Sequence, residues 1–512
     1  MKRKQLTLVI VSLLVVVLSV SLAWFTTQII GKGKDVSVTS ANLQIVFTDS
    51  DGALTETDIE PGWTKNKTFT IKNDTKTEYK YNIVIKDLLN TFVTEGYLQY
   101  KITSTNDGYN MTEFKDIPKS STPKDTILAY SVVIPNGVTQ NYTIEFKYAN
   151  DESVDQSDDM GKKLSGTLFI TEGTEEPTLL SQILKDNPTR STRSNNNNGT
   201  NDFATPLTTT TTGTLFTSTE SITGITTSPK EVYYYAGNTT NNWVKFANLY
   251  WRIIRTNHDS SIRLLYVGTS HDTTTGNIGT SLFNQNYDGP KYVGYKYGED
   301  TSLDTIRNNT TDSTIKTYID TWYQNNLTNY TKYLSTSAVY CNDRSEGTGQ
   351  THNYSSSPSS QFNFAPYYRM DYGTGGAKAN PSYNCTDIRD AFSAENTSAK
   401  LTYPVSLMTA DEIAFAGGVA ATTMNTPYAW FISNSAGTQV STSWWSLSPY
   451  SWFNGYAYVW GWCSGNAYLY GNNVDGASAA RPAISLKSCI KYSTGDGTSE
   501  SPYEIVETSS GC

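Results

Sequence analysis

The sequence is poor in basic residues and in histidine, and it lacks the cysteine spacing of common metal sites. Its 512 residues contain 39 Lys and Arg against 48 Asp and Glu, so the formal net charge is −9 and the pI is near 5.1. A surface of this sign repels a phosphate backbone, which argues against a nucleic-acid partner. With only three histidines and no Cys-x-x-Cys pair, no metal or cofactor is predicted.

Cysteine is scarce as well, and all five cysteines lie in the C-terminal half. In an oxidising compartment an odd number of cysteines allows two disulfides and one leftover thiol. We predict that Cys341 pairs with Cys385 and that Cys489 pairs with Cys512. Cys463 is then left free.

Charge is absent from residues 6–25, which are apolar and follow Lys2, Arg3 and Lys4. A run of this length after a basic start fits a signal peptide or a single membrane-spanning helix. The basic cluster should stay in the cytoplasm, which places the rest of the chain outside. We therefore assign residues 1–30 to a signal peptide or a membrane anchor, and both alternatives stay open.

Residues 31–172 alternate apolar and polar side chains in short runs, as in Thr68-Phe-Thr-Ile and Tyr142-Thr-Ile-Glu-Phe. A period near two is typical of strands with one buried face. Turn signals such as Glu60-Pro-Gly and Pro135-Asn-Gly separate these runs. Several short strands at this spacing predict an all-β, antiparallel sandwich.

Residues 173–230 have a different composition. They are rich in Asn and Thr, as at 195–198 and 208–212, and they contain few apolar side chains. Such a segment is not expected to bury enough surface to order itself. We predict a disordered, low-complexity linker here, interrupted by one short helix near residues 179–184.

Residues 231–512 are predicted to form an α+β domain, because two helical patterns lie among many strand-like runs. A capping box that starts at Thr409 predicts a helix ending at Gly417. A second helix over residues 312–326 is predicted from a core-facing set at helical spacing, which is Ile315, Tyr318, Ile319 and Trp322.

Residues 441–486 lack Lys, Glu, Gln and Met altogether, while Tyr and Trp alternate with Gly, Ser, Asn and Ala. In contact surfaces Tyr and Trp supply rigid area, and Ser, Gly and Asn adapt their hydrogen bonds. A genetic cause is also open, because AAC and AAT codons randomised at adenine never encode those four residues or Trp. A third alternative is the ordinary composition of a small aromatic β-domain. We expect Trp444, Trp445 and Trp460 in the core, and Tyr456, Tyr468 and Tyr470 on exposed loops.

The C-terminal half contains six distinctive sequence blocks, which are Trp444-Trp-Ser-Leu-Ser-Pro, Val459-Trp460, Arg481-Pro-Ala-Ile-Ser-Leu, Tyr250-Trp-Arg-Ile-Ile-Arg, Tyr340-Cys-Asn-Asp-Arg and Thr409-Ala-Asp-Glu-Ile-Ala-Phe. Through these blocks it resembles the C-type-lectin-like variable proteins of bacteria that are diversified by retroelements, whose fold is shared with formylglycine-generating enzymes. The resemblance covers about residues 231–512. It implies a C-type-lectin-like ligand-binding domain, with Trp444, Trp445, Trp460 and Arg481 as scaffold of the site.

In that family the segment before the Arg-Pro strand forms the ligand-binding face and carries the diversified positions. The resemblance therefore implies a set of ligand-binding residues in this chain. They are Tyr450, Ser451, Phe453, Asn454, Gly455, Tyr456, Gly461, Cys463, Ser464, Asn466, Tyr468, Tyr470, Gly471, Asn472, Asn473, Asp475, Gly476, Ala477 and Ser478.

Two family features are missing from the sequence. It has neither the Glu-Pro-Asn nor the Trp-Asn-Asp triplet of the calcium-dependent lectins, and it lacks the close cysteine pair of the formylglycine-generating enzymes. The resemblance therefore implies neither calcium-bridged sugar binding nor that oxidation.

The N-terminal third contains Ser21-Leu-Ala-Trp-Phe-Thr at the end of the apolar run and Glu60-Pro-Gly before Thr68-Phe-Thr-Ile. Through these motifs it resembles the camelysin-like subunits of bacterial surface fibres. It implies placement on the cell surface.

Together these features predict a receptor or adhesin rather than an enzyme, anchored in the membrane or secreted by a bacterium. Its ligand would be a protein or glycan on another cell or on a phage. Two alternatives remain at this point, which are a structural matrix or fibre protein and a hydrolase of surface polymers. For the hydrolase, Asp411 and Glu412 are candidate carboxylates, although their place in a capping box explains them without catalysis.

Overall fold

The computed structural model describes the backbone of residues 36–40, 43–49 and 54–56, and all atoms of residues 59–195, 201–209, 215–349, 351–370, 379–440, 442–508 and 510–512. The described chain is mostly β-sheet with a few short helices. It divides into two compact units, Met1–Glu176 and Pro177–Cys512. The predicted signal or anchor segment, residues 6–25, lies outside the described ranges. Within those ranges no helix combines the length and the apolar character that crossing a membrane requires.

The first unit is built from antiparallel strands. In its described part these are β1 Val36–Ser40, β2 Leu43–Asp49, β3 Leu54–Glu56, β4 Thr64–Asn73, β5 Tyr79–Asn90, β6 Leu98–Ser104, β7 Lys115–Asp116, β8 Ser120–Ile134, β9 Thr139–Tyr148 and β10 Leu164–Glu172. They form one sheet in the order β1-β2-β4-β9-β6-β7 and another in the order β3-β10-β5-β8.

Both sheets of the first unit contribute to one hydrophobic core. On β4 the buried side chains alternate with exposed ones, so that Phe69 and Ile71 point inward, and Ile144 on β9 does the same. Ile83 and Ile170 come to the same cluster from the other sheet. The strands expected from the alternating pattern at residues 68–71 and 142–146 are therefore present.

The second unit contains the remaining strands. In its described part these are β11 Arg190–Thr192, β12 Leu215–Glu220, β13 Lys230–Tyr235, β14 Trp243–Phe246, β15 Leu249–Thr256, β16 Ile262–Gly268, β17 Thr280–Leu282, β18 Lys296–Tyr297, β19 Thr311–Asp312, β20 Tyr340–Cys341, β21 Phe362–Asn363, β22 Ala391–Phe392, β23 Val405–Leu407, β24 Trp444–Phe453, β25 Tyr456–Cys463, β26 Tyr468–Asn473, β27 Ala477–Ala479, β28 Pro482–Leu486, β29 Tyr492–Thr494 and β30 Tyr503–Ile505.

Two larger sheets organise these strands. One has the order β11-β12-β13-β15-β14-β30-β29, and β16 pairs with both β15 and β28. The other has the order β17-β27-β24-β25-β26, with β21 also paired to β24. The second sheet matters most for function, because β24, β25 and β26 contain most of the residues that the sequence assigned to a binding face.

Short helices accompany the sheets of the second unit. Thr409 accepts a hydrogen bond from the Glu412 amide in a capping box, and the helix ends at Gly417 in the left-handed region, as predicted. The helix expected over residues 312–326 is also confirmed and is capped by Ser313. The described α-helices are α1 Leu179–Asp186, α2 Leu303–Ile306, α3 Thr314–Asn326, α4 Ala365–Met370 and α5 Ala410–Ala416.

The prediction of a disordered linker over residues 173–230 is wrong for the part that the structure describes. Strands β11 and β12 and helix α1, which was expected near residues 179–184, lie in this range. Leu179, Ile183 and Leu215 are buried in the main core of the second unit. Composition misled here because most of the few apolar residues of the segment dock on a neighbouring core, which a segment-wide average does not reveal.

Both disulfides expected from the sequence are present. Cys341 is bonded to Cys385 and Cys489 to Cys512, each with a Cα–Cα distance of 5.8 Å. Cys463 is a free cysteine, also as predicted.

Candidate ligand-binding face

Buried tryptophans hold the β24–β25 hairpin against the core. Trp444, Trp445 and Trp460 are each at most 2% exposed, which confirms the expectation that they pack inside. The Trp444 and Trp462 rings are roughly parallel, with centroids 6.5 Å apart. The buried Arg481 guanidinium lies 5.3 Å from the Trp444 centroid and donates to two backbone carbonyls. The hairpin therefore rests on a packed platform.

A two-residue turn joins β24 to β25. Asn454 and Gly455 have φ values of 52° and 80°. Positive φ at both central residues is typical of the type I′ hairpin turn, which favours Asn-Gly. The turn sets Phe453 opposite Tyr456, and Phe453 is 47% exposed at the tip of the hairpin.

The expected site residues of β25 and β26 divide between the two faces of the sheet. Residues paired directly across antiparallel strands point to the same face, and the β25–β26 register runs without a shift. We call the face of Tyr458 the ridge face and the opposite one the back face. The ridge face carries the pairs Tyr458–Asn473 and Trp460–Gly471, and the back face carries Val459–Asn472, Gly461–Tyr470 and Cys463–Tyr468.

A row of half-buried or exposed tyrosines lies on the ridge face. Tyr456 and Tyr458 are two residues apart on one strand and so point to the same side. Ring-centroid distances are 4.8 Å for Tyr287–Tyr456, which stack, 6.2 Å for Tyr458–Tyr450, 5.0 Å for Tyr450–Tyr367 and 5.3 Å for Tyr367–Tyr368. We call this set the tyrosine ridge; its members are Tyr287, Tyr367, Tyr368, Tyr450, Tyr456 and Tyr458.

Tyr450 reaches the ridge through an irregularity in β24. The pairing with β25 shifts between Pro449 and Ser451, and a bulge of this kind re-aims a side chain. The Tyr450 and Trp460 rings then meet edge to face, with their centroids 4.6 Å apart. It also covers Gly471, where an added Cβ would lie 2.7 Å from the ring. Gly471, which the resemblance places among the diversified positions, therefore makes room for Tyr450.

The back face carries Cys463, Tyr468, Tyr470 and Asn472, all half-buried. The expectation that Tyr456, Tyr468 and Tyr470 lie on loops is wrong, because they belong to β25 and β26. Gly461, which lies between these tyrosines in the sequence, pairs with Tyr470 in the ladder.

The other expected site residues differ in accessibility. Four are buried and reach no ligand in this conformation, namely Ser451, Gly461, Ser464 and Ser478. Accessible ones lie at the turns, at the end of β26 and at the start of β27; Asn454, Asn466 and Ala477 are exposed and Gly455, Asn473, Asp475 and Gly476 are half-buried.

No protein family model, curated protein or solved structure matches this chain. Its site is therefore interpreted from the chemistry of its own residues. Within the described ranges, His, Cys, Asp and Glu form no group of three or more that could hold a metal ion.

Four ridge tyrosines were not assigned to the site from the sequence. Tyr458 follows from the period of two that starts at Tyr456, so the signal for it was present. Tyr287, Tyr367 and Tyr368 come from segments far from the hairpin in sequence. Only the tertiary fold brings these three to the ridge.

An ion cluster fixes the Tyr367–Tyr368 end of the ridge. Arg369, next in α4, has Nε 2.8 Å from Asp411 Oδ1 and Nη1 2.7 Å from Asp343 Oδ2. Burial alone would raise the pKa of Asp343, but the Arg369 charge and hydrogen bonds outweigh it and lower that pKa. Because Asp411 lies in the first turn of α5, the cluster ties α4 to α5 and holds the tyrosines of α4 in place.

Proposed function

We propose that this chain is an exported, surface-displayed binding protein that presents the tyrosine ridge to a ligand. The ridge is the observation that carries the proposal, since six half-buried or exposed tyrosines from β24, β25, α4 and the segment of Tyr287 lie in a row. Tyr gives large amphipathic contact area at a low entropic cost and is common among binding hot spots. Tyr367 and Tyr450 also pack against the core, whereas Tyr287 and Tyr368 are exposed.

The platform beneath the ridge supports the same proposal. Trp460 and the ion cluster of Arg369 hold the tyrosines from below and from one end. A surface that is ordered before it binds loses less conformational entropy on binding. Polar groups at the hairpin end, such as Asn454 and Asn473, supply adaptable hydrogen bonds around the aromatic centre.

In this proposal the second unit has a C-type-lectin-like fold and its accessible hairpin and loop positions are diversified by a retroelement. The buried Trp444, Trp445, Trp460 and Arg481 form the constant scaffold. The ligand is a protein or glycan on another cell or on a phage, and binding requires no catalytic group.

Placement on the cell surface forms part of the proposal. The two disulfides are typical of proteins in an oxidising compartment. The first unit would serve as a β-sandwich that is exported behind residues 6–25.

The test compares matched variants of the full chain for saturable binding to glycan arrays, intact bacteria and phage particles. Tyr456→Ser combined with Tyr458→Ser removes two ridge rings. We expect binding to weaken by about tenfold or more, as for the loss of hot-spot side chains. Tyr468→Ser combined with Tyr470→Ser alters the back face of the same two strands and serves as the control. Loss of binding in the control but not in the ridge variant would contradict the assignment, and so would the absence of any saturable target.

A further inference from the structure

Two carboxylates belong to the chain segments that form one end of the tyrosine ridge. Asp288 directly follows Tyr287, whose ring stacks on Tyr456 and whose carbonyl accepts the Ala457 amide at 2.9 Å. Asp475 lies two residues after Asn473, the cross-strand partner of Tyr458. Burial, then the neighbouring Tyr456 and the Asp475 carboxylate, raise the pKa of Tyr458.

Neither carboxylate is neutralised by the protein. Within the described residues, Asp288 and Asp475 have no ion pair and no hydrogen bond. Residues 441–480 contain no Lys or Arg at all. The cations nearest in sequence to the ridge are already engaged, since Lys291 pairs with Glu299 and Arg369 with Asp343 and Asp411.

The chemistry of this end is therefore aromatic and anionic. The face of a tyrosine ring attracts a cation, and the attraction is strengthened by a carboxylate nearby. The exposed Tyr287 ring and the half-buried Tyr456 ring, with unpaired carboxylates in the adjoining chain segments, match the charge of an ammonium or guanidinium group. These rings and carboxylates carry no positive charge that could pair with an acidic ligand.

We propose that the Tyr287–Tyr456–Tyr458 end of the ridge binds lysine or arginine side chains of a partner polypeptide. This inference rests on the proposed function and narrows its ligand to a protein with an exposed basic segment. Asp288 and Asp475 supply the long-range attraction, and the tyrosine faces supply the close contact.

The experiment measures the affinity of the full chain for three short capped peptides that alternate glycine with lysine, glutamine or glutamate. We expect the lysine peptide to bind tightest and to weaken at high NaCl concentration, because the carboxylates are exposed to screening. Asp288→Asn combined with Asp475→Asn should weaken the lysine peptide by about fivefold, as for two exposed ion pairs. Glu507→Gln, an exposed carboxylate outside the ridge, is the matched control and should leave its affinity unchanged.

A second pair of variants separates the contribution of the aromatic rings to peptide binding from the contribution of apolar surface area. Tyr456→Phe with Tyr458→Phe keeps the ring faces and should retain binding of the lysine peptide. Tyr456→Leu with Tyr458→Leu keeps apolar area but removes the rings, and should weaken the affinity for the lysine peptide by about fivefold. Equal affinity for the lysine and glutamine peptides, or no effect of the Asp variants, would overturn the inference. If the glutamine peptide still bound through the ridge, the proposed function would stand but its ligand would not be cationic. If no peptide bound, the inference would fail, and the test with particles and glycans would decide the proposed function separately.

Discussion

At the scale of single residues, buried charges connect segments that are distant in sequence. Glu220 on β12 pairs with Arg255 on β15, with Oε1 2.8 Å from Nη2. Arg255 also pairs with Glu412 of α5 at 2.8 Å. Burial alone would raise the pKa of Glu220, but the charge of Arg255, aided by hydrogen bonds, outweighs it and lowers that pKa to about 2. The ionised form of Glu220 therefore stabilises the folded second unit.

Glu220→Gln should lower the free energy of unfolding by about 3–5 kcal/mol at neutral pH, because it leaves the buried Arg255 short of a partner. The ordinary pKa of Glu220 is 4.5 and the folded value is about 2. Its stabilisation is thus complete above pH 4.5 and is lost as the pH falls towards 2. Denaturant unfolding followed by near-UV circular dichroism across this range measures both effects.

The control for this variant is Glu299→Gln, whose carboxylate is exposed and pairs with Lys291 at the surface. A surface pair contributes little, so unfolding should change by less than about 1 kcal/mol. Equal decreases in the free energy of unfolding in the two variants would contradict the role assigned to Glu220.

At the scale of secondary-structure elements, local signals located the helices but not their partners. The capping box at Thr409 and the glycine at its end define α5 from sequence alone. No local pattern shows that residues 201–209 pack on the end of this helix, where the Leu207 amide donates to the Gly417 carbonyl at 3.0 Å. Phe203 likewise meets Phe415 edge to face, with centroids 5.3 Å apart. Such docking depends on tertiary contacts, which explains why a linker was expected there.

Gly417→Ala tests this docking. Gly417 has φ +118°, and an added Cβ would lie 2.5 Å from the Leu207 carbonyl oxygen. Gly437 also has a positive φ, of +72°, but an added Cβ there meets nothing within 4 Å. Both Ala variants incur backbone strain of about 1–2 kcal/mol, and Gly417→Ala should lose more stability because of the added clash.

Thermal unfolding of the two glycine variants side by side gives the difference. A larger loss for Gly417→Ala supports packing of residues 201–209 against α5. If Gly437→Ala were equally destabilising, the contact between Gly417 and Leu207 would contribute nothing to the stability of the fold.

At the scale of secondary-structure elements, the candidate site could be predicted from the sequence only in part. Composition pointed to the β24–β25 hairpin as the candidate site, and the period of two along β25 is visible in the sequence. The division of its residues between two faces follows from the type I′ turn and the shift near Pro449, which set the register. That shift depends on packing beneath the strand, so Gly471 and Ser451 could not be separated from ligand-facing positions beforehand.

At the scale of the whole molecule, the second unit begins at Pro177 rather than near residue 231. Helix α1 and strand β12 supply Leu179, Ile183 and Leu215 to its core. A fragment of residues 177–512 should therefore fold by itself, whereas residues 231–512 should not. A single reactive thiol, from Cys463, and a cooperative thermal transition would identify the folded fragment. Equal stability of the two fragments would contradict this boundary.

The central claim is that the β24–β26 region is a diversified binding face on a constant scaffold. Deep sequencing of the codons for residues 444–486 across descendants and close relatives of the source strain, with the flanking DNA, tests it most directly. We expect changes at adenine bases in codons for positions such as Tyr456 and Asn473, unchanged codons for Trp444, Trp445 and Trp460, and a template repeat nearby. A segment that varies no more than strand β28, with no template repeat, would contradict it.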